Sequence, residues 1–449
     1  MKQFALLVWV AGFAWIGVFA APRGTITVNV NDVVGGSDSE RINRAVRAGG
    51  RVIIPPRVSD VEPSRDWWVL DEAVTLPSDT TVILRDCRLK LSDKCRDNFF
   101  RSANCGFGFA TNATFRNIHI LGEGRAVLEG ADHPRATGDG GKFLRKTSPN
   151  RPEDWLKAAY WLTPEERAKR KTPADVTWAD LHDNTYGTDA GKPGESQFGD
   201  WRNVGILFAC VEDFSIENIR IVQAHGWNIS LENCAYGDLR RIDFYDTMGR
   251  MIDGVLENIE NQDGIDLRNG CHDITISDIT GRTGDDVIAL TSIAFSPFRP
   301  GGSLQTTLVM HNDWTKRERD IRNVVIRNVR AHSSLCFVVR LLAAESHIRN
   351  VVIDGIVENR DDGDCSGNVI LIGDGGFYGT EYPDAIANIS ISNVIGAKHS
   401  GSVIQIPSAL VDSTISNVIN RNPNRPALSI ANKDALKNVS LHNIVEPSK

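Results

Sequence analysis

Ile391-Ser392-Asn393-Val394 is the stretch that decides the fold, because it returns along the chain. Copies stand at Phe115-Arg116-Asn117-Ile118, Ile216-Glu217-Asn218-Ile219 and Ile276-Ser277-Asp278-Ile279. Others are Ile326-Arg327-Asn328-Val329, Ile353-Asp354-Gly355-Ile356, Ile415-Ser416-Asn417-Val418 and Leu441-His442-Asn443-Ile444. The last five are separated by 27, 38, 24 and 26 residues, and the 38 reads as one coil plus an inserted loop. A short period with alternating aliphatics is the mark of a solenoid whose coils stack their strands. Asn at the bend tolerates left-handed backbone and can bond the Asn of the next coil. Ile and Val dominate and helical periodicity is absent between the strands, which excludes a leucine-rich repeat. The expectation is an all-β, right-handed parallel β-helix.

Four Asn-x-Ser/Thr sequons, at Asn112, Asn228, Asn388 and Asn438, lie in or next to such strands and read as structural. Ser37 to Ala48 is a predicted helix. Ser37 or Asp38 caps it, Ile42, Ala45 and Val46 share a face, and Gly49-Gly50 stops it. It would plug the open end of the solenoid, and Arg51-Val52-Ile53-Ile54 would begin the first strand. Residues 132–201 interrupt the repeat with charged, Pro- and Gly-rich sequence and two helical stretches within 152–170. They form a partly helical insertion that could wall a groove.

The chain has 449 residues, and 50 Lys+Arg against 57 Asp+Glu leave a net charge of −7. That balance gives no footprint for nucleic acid. Lys2 followed by an uncharged apolar run, Phe4 to Ala20, reads as a cleaved export signal over residues 1–20. Residues 21–449 then form one domain, secreted or periplasmic, with no membrane contact after cleavage. The eight cysteines include no CxxC, so no zinc site is expected. Cys210 and Cys234 stand about one coil apart and could stack as thiols or pair.

Two acidic clusters carry the chemistry. Asn261-Gln262-Asp263-Gly264-Ile265-Asp266 is followed about one period later by Gly284-Asp285-Asp286, with Asp285 22 residues after Asp263. Coils stacked about 4.8 Å apart would crowd Asp263, Asp285 and Asp286 into one patch. Crowded carboxylates hold a proton near neutral pH, and a protonated acid beside an ionised base is what glycosidic bond cleavage needs. The alternative for each is a turn carboxylate capping backbone amides, the reading given to Asp266, Asp273 and Asp278. Arg340 in Phe337–Leu342 and Arg268 past the first cluster are candidate substrate-binding residues. Trp227 could stack on a sugar, although a buried Trp is the commoner fate. His311 lies in an irregular loop, where functional residues concentrate.

Asn261-Gln262-Asp263-Gly264 and Gly284-Asp285-Asp286 at this spacing resemble the hallmark motifs of glycoside hydrolase family 28, the polygalacturonase family of right-handed β-helices. Leu121 to Gly130 also resembles early coils of its bacterial members. The resemblance covers roughly residues 30 to 130 and 204 to 445. It implies an inverting hydrolase without cofactor, in which Asp285 protonates the leaving oxygen while Asp263 and Asp286 activate water. Two family elements are missing. No Gly-His-Gly follows the second acidic pair, and His311 stands in by position alone. The family's Arg-x-Lys is here Arg340-Leu341-Leu342, which keeps the arginine and loses the lysine. A sugar polymer other than polygalacturonate is therefore the expected substrate. The rivals are a polysaccharide lyase or uronate epimerase on the same fold, which would use a bound cation, and a non-catalytic carbohydrate-binding β-helix.

Overall fold

The computed structural model describes residues 26–59, 62–95, 97–105, 113–134, 137–138, 201–293, 319–359, 367–376 and 379–447. The expected signal segment, the two insertion helices, Asn112, His311 and Cys365 lie outside them. Among the described residues no helix is long and apolar enough to cross a membrane.

The chain is a parallel β-helix. Among the described residues, strands stack into a long sheet of 15 and a short sheet of 10, with the pairings inside both parallel. One antiparallel hairpin, Gly249–Ile252 with Val255–Asn258, projects from the stack. The recurring phrase sets the register. Ile216, Leu239, Ile276, Ile326, Ile353, Ile391, Ile415 and Leu441 lie one above another in the long sheet. All but the last are fully buried, and Leu441, in the final coil, is 38% exposed. Each buried aliphatic contributes about 1.5–3 kcal/mol relative to an exposed one, so a straight column of them decides the pairing.

Each long-sheet strand turns two corners, and the left-handed residues at those corners form two ladders. In one, Asn323 Nδ2 donates to Asp273 (3.0 Å), Asn350 to Asn323 (3.0 Å) and Asn388 to Asn350 (3.2 Å). In the other, Asn328 donates to Asp278 (3.1 Å), Asn417 to Asn393 (3.2 Å) and Asn443 to Asn417 (2.8 Å). All of these residues hold φ between 49° and 57°. Gly355, at φ 74°, occupies the second ladder where its side chain is lost, and Asp354 accepts from Asn393 instead (2.7 Å). The sequons at Asn388 and Asn438 are members of such contacts, and Asn228 is fully buried. One copy of the phrase is displaced. Phe115–Ile118 aligns with Val211–Phe214, so Asn117 serves the first corner, where it bonds Asp79 (2.9 Å).

The predicted helix is α1, Asp38–Ala48, with Ser37 as N-cap and Glu40 completing a capping box. Its buried face is Ile42, Ala45 and Val46, packed on the first coils. The first strand is not Arg51–Ile54, because Thr27–Asn29 precedes it and pairs alongside. The described cysteines are free thiols. The expected stacking of Cys210 on Cys234 is off by one neighbour. Extending the strand register sets Cys234 beside Cys271, while Asn233 Nδ2 bonds the Cys210 sulfur (3.0 Å).

The ladders give a direct test. Asn393→Ala strains a left-handed position and removes two side-chain bonds, at a cost of about 1–3 kcal/mol. Asn393→Gly, which keeps the backbone freedom, should cost less. Urea unfolding of both variants checks the order, and equal stability of the alanine variant would remove the ladder from the account.

Candidate active site

The acidic residues sit where the chain leaves the long sheet and enters the short one. Ile265–Arg268, Ile288–Ile293 and Val339–Ala344 are adjacent strands, with Ile265 beside Ile288 and Ile288 beside Val339. Continued towards the N-terminal side, this register sets Asp263 beside Asp286, and Asp286 beside Phe337. The Gly264 N–H donates to the Asp286 carbonyl (2.8 Å) and the Ile265 N–H to that of Val287 (2.9 Å). The residue stacked on Asp263 is therefore Asp286, not Asp285. One carbonyl explains the shift. Gln262 O accepts from both Gly284 N–H (3.1 Å) and Asp285 N–H (3.2 Å), so the second coil carries one extra residue, as at a bulge. Asp285 is that extra residue, and it is only partly buried.

Asp286 is almost completely buried, at 1% exposure. Its Oδ1 accepts the Phe337 N–H (3.0 Å) and its Oδ2 faces Arg340 Nη1 (3.3 Å). Burial, reinforced by the negative charge of Asp285, pushes its pKa up to about 7 against the pull of Arg340 and Phe337. Asp285 Oδ1 accepts the Asp286 backbone N–H (2.9 Å), which ties the Asp285 side chain to the Asp286 main chain. Asp286 holds its proton near neutrality.

Cys336 marks the convergence of the trio. Burial raises its thiol pKa, and so do Asp286, Asp285 and Asp263, with a hydrogen bond to Asp285 adding to the effect. The thiol bonds Asp285, lies beside Asp286 and feels the charge of Asp263. The carboxylate oxygens of Asp285 and Asp286 and the Cys336 sulfur lie within 4.8 Å of one another, close enough for these three to share a metal ion. Cys336 was missed in the sequence because it belongs to no motif. Laying the strand Val339–Ala344 against Ile288–Ile293 brings Cys336-Phe337 beside Asp285-Asp286, and that alignment is its only signal.

The remaining predicted residues divide. Arg340 is the side-chain partner of Asp286, and its guanidinium also lies 5.6 Å from the Phe337 ring centre. Arg268 and Trp227, each 1% exposed, are packed on one another with the guanidinium 4.7 Å from the indole centre. Neither presents a face to solvent here, which corrects the picture of an open sugar platform. Asp266 is not a turn cap. It lies within the strand Ile265–Arg268, 1% exposed, in the same outward row as Arg340. Asp273 and Asp278 are corner residues in the ladders, as expected. Leu342, where the family carries lysine, is fully buried.

A buried polar frame underlies the site, and sequence reading passed over it. Asp246, fully buried, accepts from Asn228 Nδ2 (2.6 Å) and the Ala224 N–H (2.9 Å). Asn228 Nδ2 also reaches the Asp263 carbonyl (2.7 Å), and Gln262 Nε2 bonds the Ala224 carbonyl (2.7 Å). These bonds hold the Gln262-Asp263 backbone from behind. Burial raises the Asp246 pKa to about 7 although its donors favour the anion. His225, whose Nε2 accepts the Ala131 N–H (2.8 Å), is held neutral, with its pKa driven down to about 3 chiefly by burial.

No protein-family model and no curated protein matches the chain. Similar solved structures include a family 28 exopolygalacturonase of Yersinia enterocolitica, 14% identical, covering 94% of this chain and 79% of that one, TM-score 0.46. The polygalacturonase of Erwinia carotovora is also 14% identical, with 94% of each chain covered and TM-score 0.46. A tailspike protein of Escherichia coli bacteriophage HK620, described in complex with a hexasaccharide, is 12% identical. It covers 90% of this chain and 65% of that one, TM-score 0.45. The chemistry of the present chain rests on its own side chains.

The raised pKa of Asp286 predicts a pH signature. The folded protein keeps this proton up to about pH 7, whereas the ordinary value is 3.8. Between those values the folded state binds more protons than the unfolded one, so stability falls as pH rises. Asp286→Asn removes that dependence. The melting temperature of the wild type should drop relative to the variant between about pH 4 and about pH 7. Scanning calorimetry of both across that range is the measurement, and parallel curves would place the proton elsewhere.

Proposed function

We propose that this protein is a secreted glycoside hydrolase that cleaves a polysaccharide or oligosaccharide by an inverting acid/base mechanism. One observation carries the reading: a buried Asp286 with its pKa near 7 donates its backbone N–H to the carboxylate of a partly exposed Asp285, with Asp263 on the neighbouring coil. Asp285, the solvent-facing member of the pair, passes to the leaving oxygen a proton drawn from Asp286 within 4.8 Å of it. Asp263 and the Asp286 carboxylate so released orient and deprotonate the attacking water. Arg340 and the Phe337 N–H hold Asp286 in place and limit the rise of its pKa. Substrate contact by Arg268 and Trp227 is secondary in this reading, because both are buried.

The polymer is not polygalacturonate. A uronate carboxylate at the cleavage point calls for a second cation two residues past Arg340, and that place holds the buried Leu342. A lyase or epimerase is the second reading, kept because Asp285, Asp286 and Cys336 are close enough to hold the cation such chemistry uses.

Asp285→Asn keeps the shape of the side chain and removes its ability to pass on a proton, so turnover should fall by about 10²–10⁴-fold with the fold intact. Reducing-end release from a panel of plant and algal glycans measures it, and near-normal turnover would refute the acid assignment. Product anomers read by NMR should show inversion. Activity should survive a chelator, and products should not absorb in the ultraviolet; the opposite pair of results would move the protein to the lyases. Arg340→Ala was expected from the sequence to weaken binding more than stability. Its contact with Asp286 changes that expectation: the variant should lose both activity and thermal stability, the latter most above about pH 7, where Asp286 would be an unpaired buried anion.

A further inference from the structure

A second concave feature lies on the other sheet. It is a cleft of about 680 Å³ on the outer face of the long sheet, at the C-terminal ends of its strands, and it includes none of the candidate active-site residues. The volume suits a small ligand or a few units of a polymer.

Its lining is unusual for a chain of net charge −7. Four arginines, Arg88, Arg125, Arg220 and Arg241, face two carboxylates, Glu129 and Asp243. The carboxylates are already shared. Glu129 pairs with Arg88 (2.6 Å) and Lys90 (3.3 Å), and Asp243 pairs with Arg220 (3.2 Å) while accepting from Thr280 (2.7 Å). Arg241 reaches Glu217 at 3.4 Å, but Arg240 holds the same oxygen at 2.7 Å. Arg125 is exposed and forms no ion pair among the described residues. Among the described residues the cleft therefore keeps one guanidinium without an ion pair, Arg125, and one, Arg241, that shares its carboxylate with a closer arginine.

Two further guanidiniums, one lining the cleft and one beside it, are held by an aromatic ring. Tyr245, 43% exposed, has the Arg220 guanidinium 5.6 Å and the Arg282 guanidinium 4.9 Å from its ring centre. Stacking of this kind holds a guanidinium in plane and reduces the entropy lost when it grips an oxyanion. Strand register also repeats the arrangement along the solenoid axis. Arg88, Arg220 and Arg330 share one outward row, and Lys90, Tyr245, Arg282 and His332 share the next. Taken together the two rows set cations on the coils of Arg88, Arg220, Arg282 and Arg330, with Glu129 and Asp243 standing between them, at steps of about 4.8 Å per coil.

We infer that this cleft is a non-catalytic binding site for a glycan bearing carboxylate or sulfate groups. Planar bidentate donors fit both oxyanions. A cleft this short, with most of its arginines already paired, offers too few cations for nucleic acid, whose binding draws on many phosphate contacts at once. The choice of a glycan rests on the hydrolase reading above. The cleft would grip charged groups remote from the bond being cut, which fits an active site with no second cation for a uronate.

The test uses the full chain carrying Asp285→Asn, so that binding is measured without cleavage. Heparin, polygalacturonate, neutral dextran and duplex DNA are the probes, titrated calorimetrically at low and moderate salt. Heparin or polygalacturonate should bind, and the tighter of the two identifies the oxyanion. Arg125→Ala with Arg241→Ala should weaken that binding about tenfold or more at an unchanged melting temperature, and should flatten its salt dependence. Dextran and DNA should bind no more tightly than to the double variant. Undiminished binding in that variant, no binding of either anionic glycan, or DNA binding as tight as theirs would overturn the inference. Hydrolysis is scored separately on the otherwise wild-type chain with the two arginine substitutions. Loss of glycan binding with turnover of a short neutral substrate retained separates this site from the acid trio, whereas failure of Asp285→Asn to abolish turnover strikes the hydrolase reading and leaves the binding result standing.

Discussion

Stacking in register is the interaction on which everything else depends. Each coil lies on the last through parallel backbone bonds, and side chains at equivalent positions are brought to one strand spacing, about 4.8 Å. For Ile276 under Ile326 the consequence is a dry, continuous core. For Asn323 under Asn350 it is a polar ladder that satisfies a left-handed corner. For Asp263 and the Asp285-Asp286 pair it is a crowding of acids on neighbouring coils, in which Asp285 raises the proton affinity of Asp286. The same geometry that stabilises the solenoid therefore forces carboxylates together wherever two successive coils carry them. The energy of the apolar columns holds that unfavourable contact in place.

The site shows how that crowding is managed. Asp286 is placed deep enough that desolvation and Asp285 raise its proton affinity, and then tethered by one N–H and one guanidinium so that the rise stops near neutrality. Asp285 sits on the extra residue of a bulge and stays in contact with solvent. Two adjacent residues of identical chemistry thus receive different environments, which is the condition for separate acid and base roles. Behind them, Asp246, Asn228 and Gln262 anchor the backbone from which Asp263 projects, a second buried layer that costs stability and holds geometry.

The two faces of the solenoid carry opposite electrostatic designs. Acids gather where the long sheet passes into the short one, and arginines gather on the outer face of the long sheet around Tyr245. In each case the repeat turns a residue choice made once per coil into a row. An extended ligand suits rows better than a pocket does.

The amino-acid pattern alone determined the parallel solenoid, the helix from Asp38 to Ala48, the left-handed Asn corners and the meeting of the two acidic clusters, because all of these follow from local periodicity and backbone preference. Tertiary structure alone decided which acid stacks on which. A one-residue bulge at Gln262 moves the partner of Asp263 from Asp285 to Asp286, and spacing in the sequence does not reveal a shared carbonyl. It also turned Arg340 into the partner of a buried carboxylate, sank Arg268 and Trp227 beneath the surface, and brought in Cys336 and Asp246, which belong to no motif. Burial and charge at these positions come from residues dozens of places away in the chain, and only the wound backbone makes them neighbours.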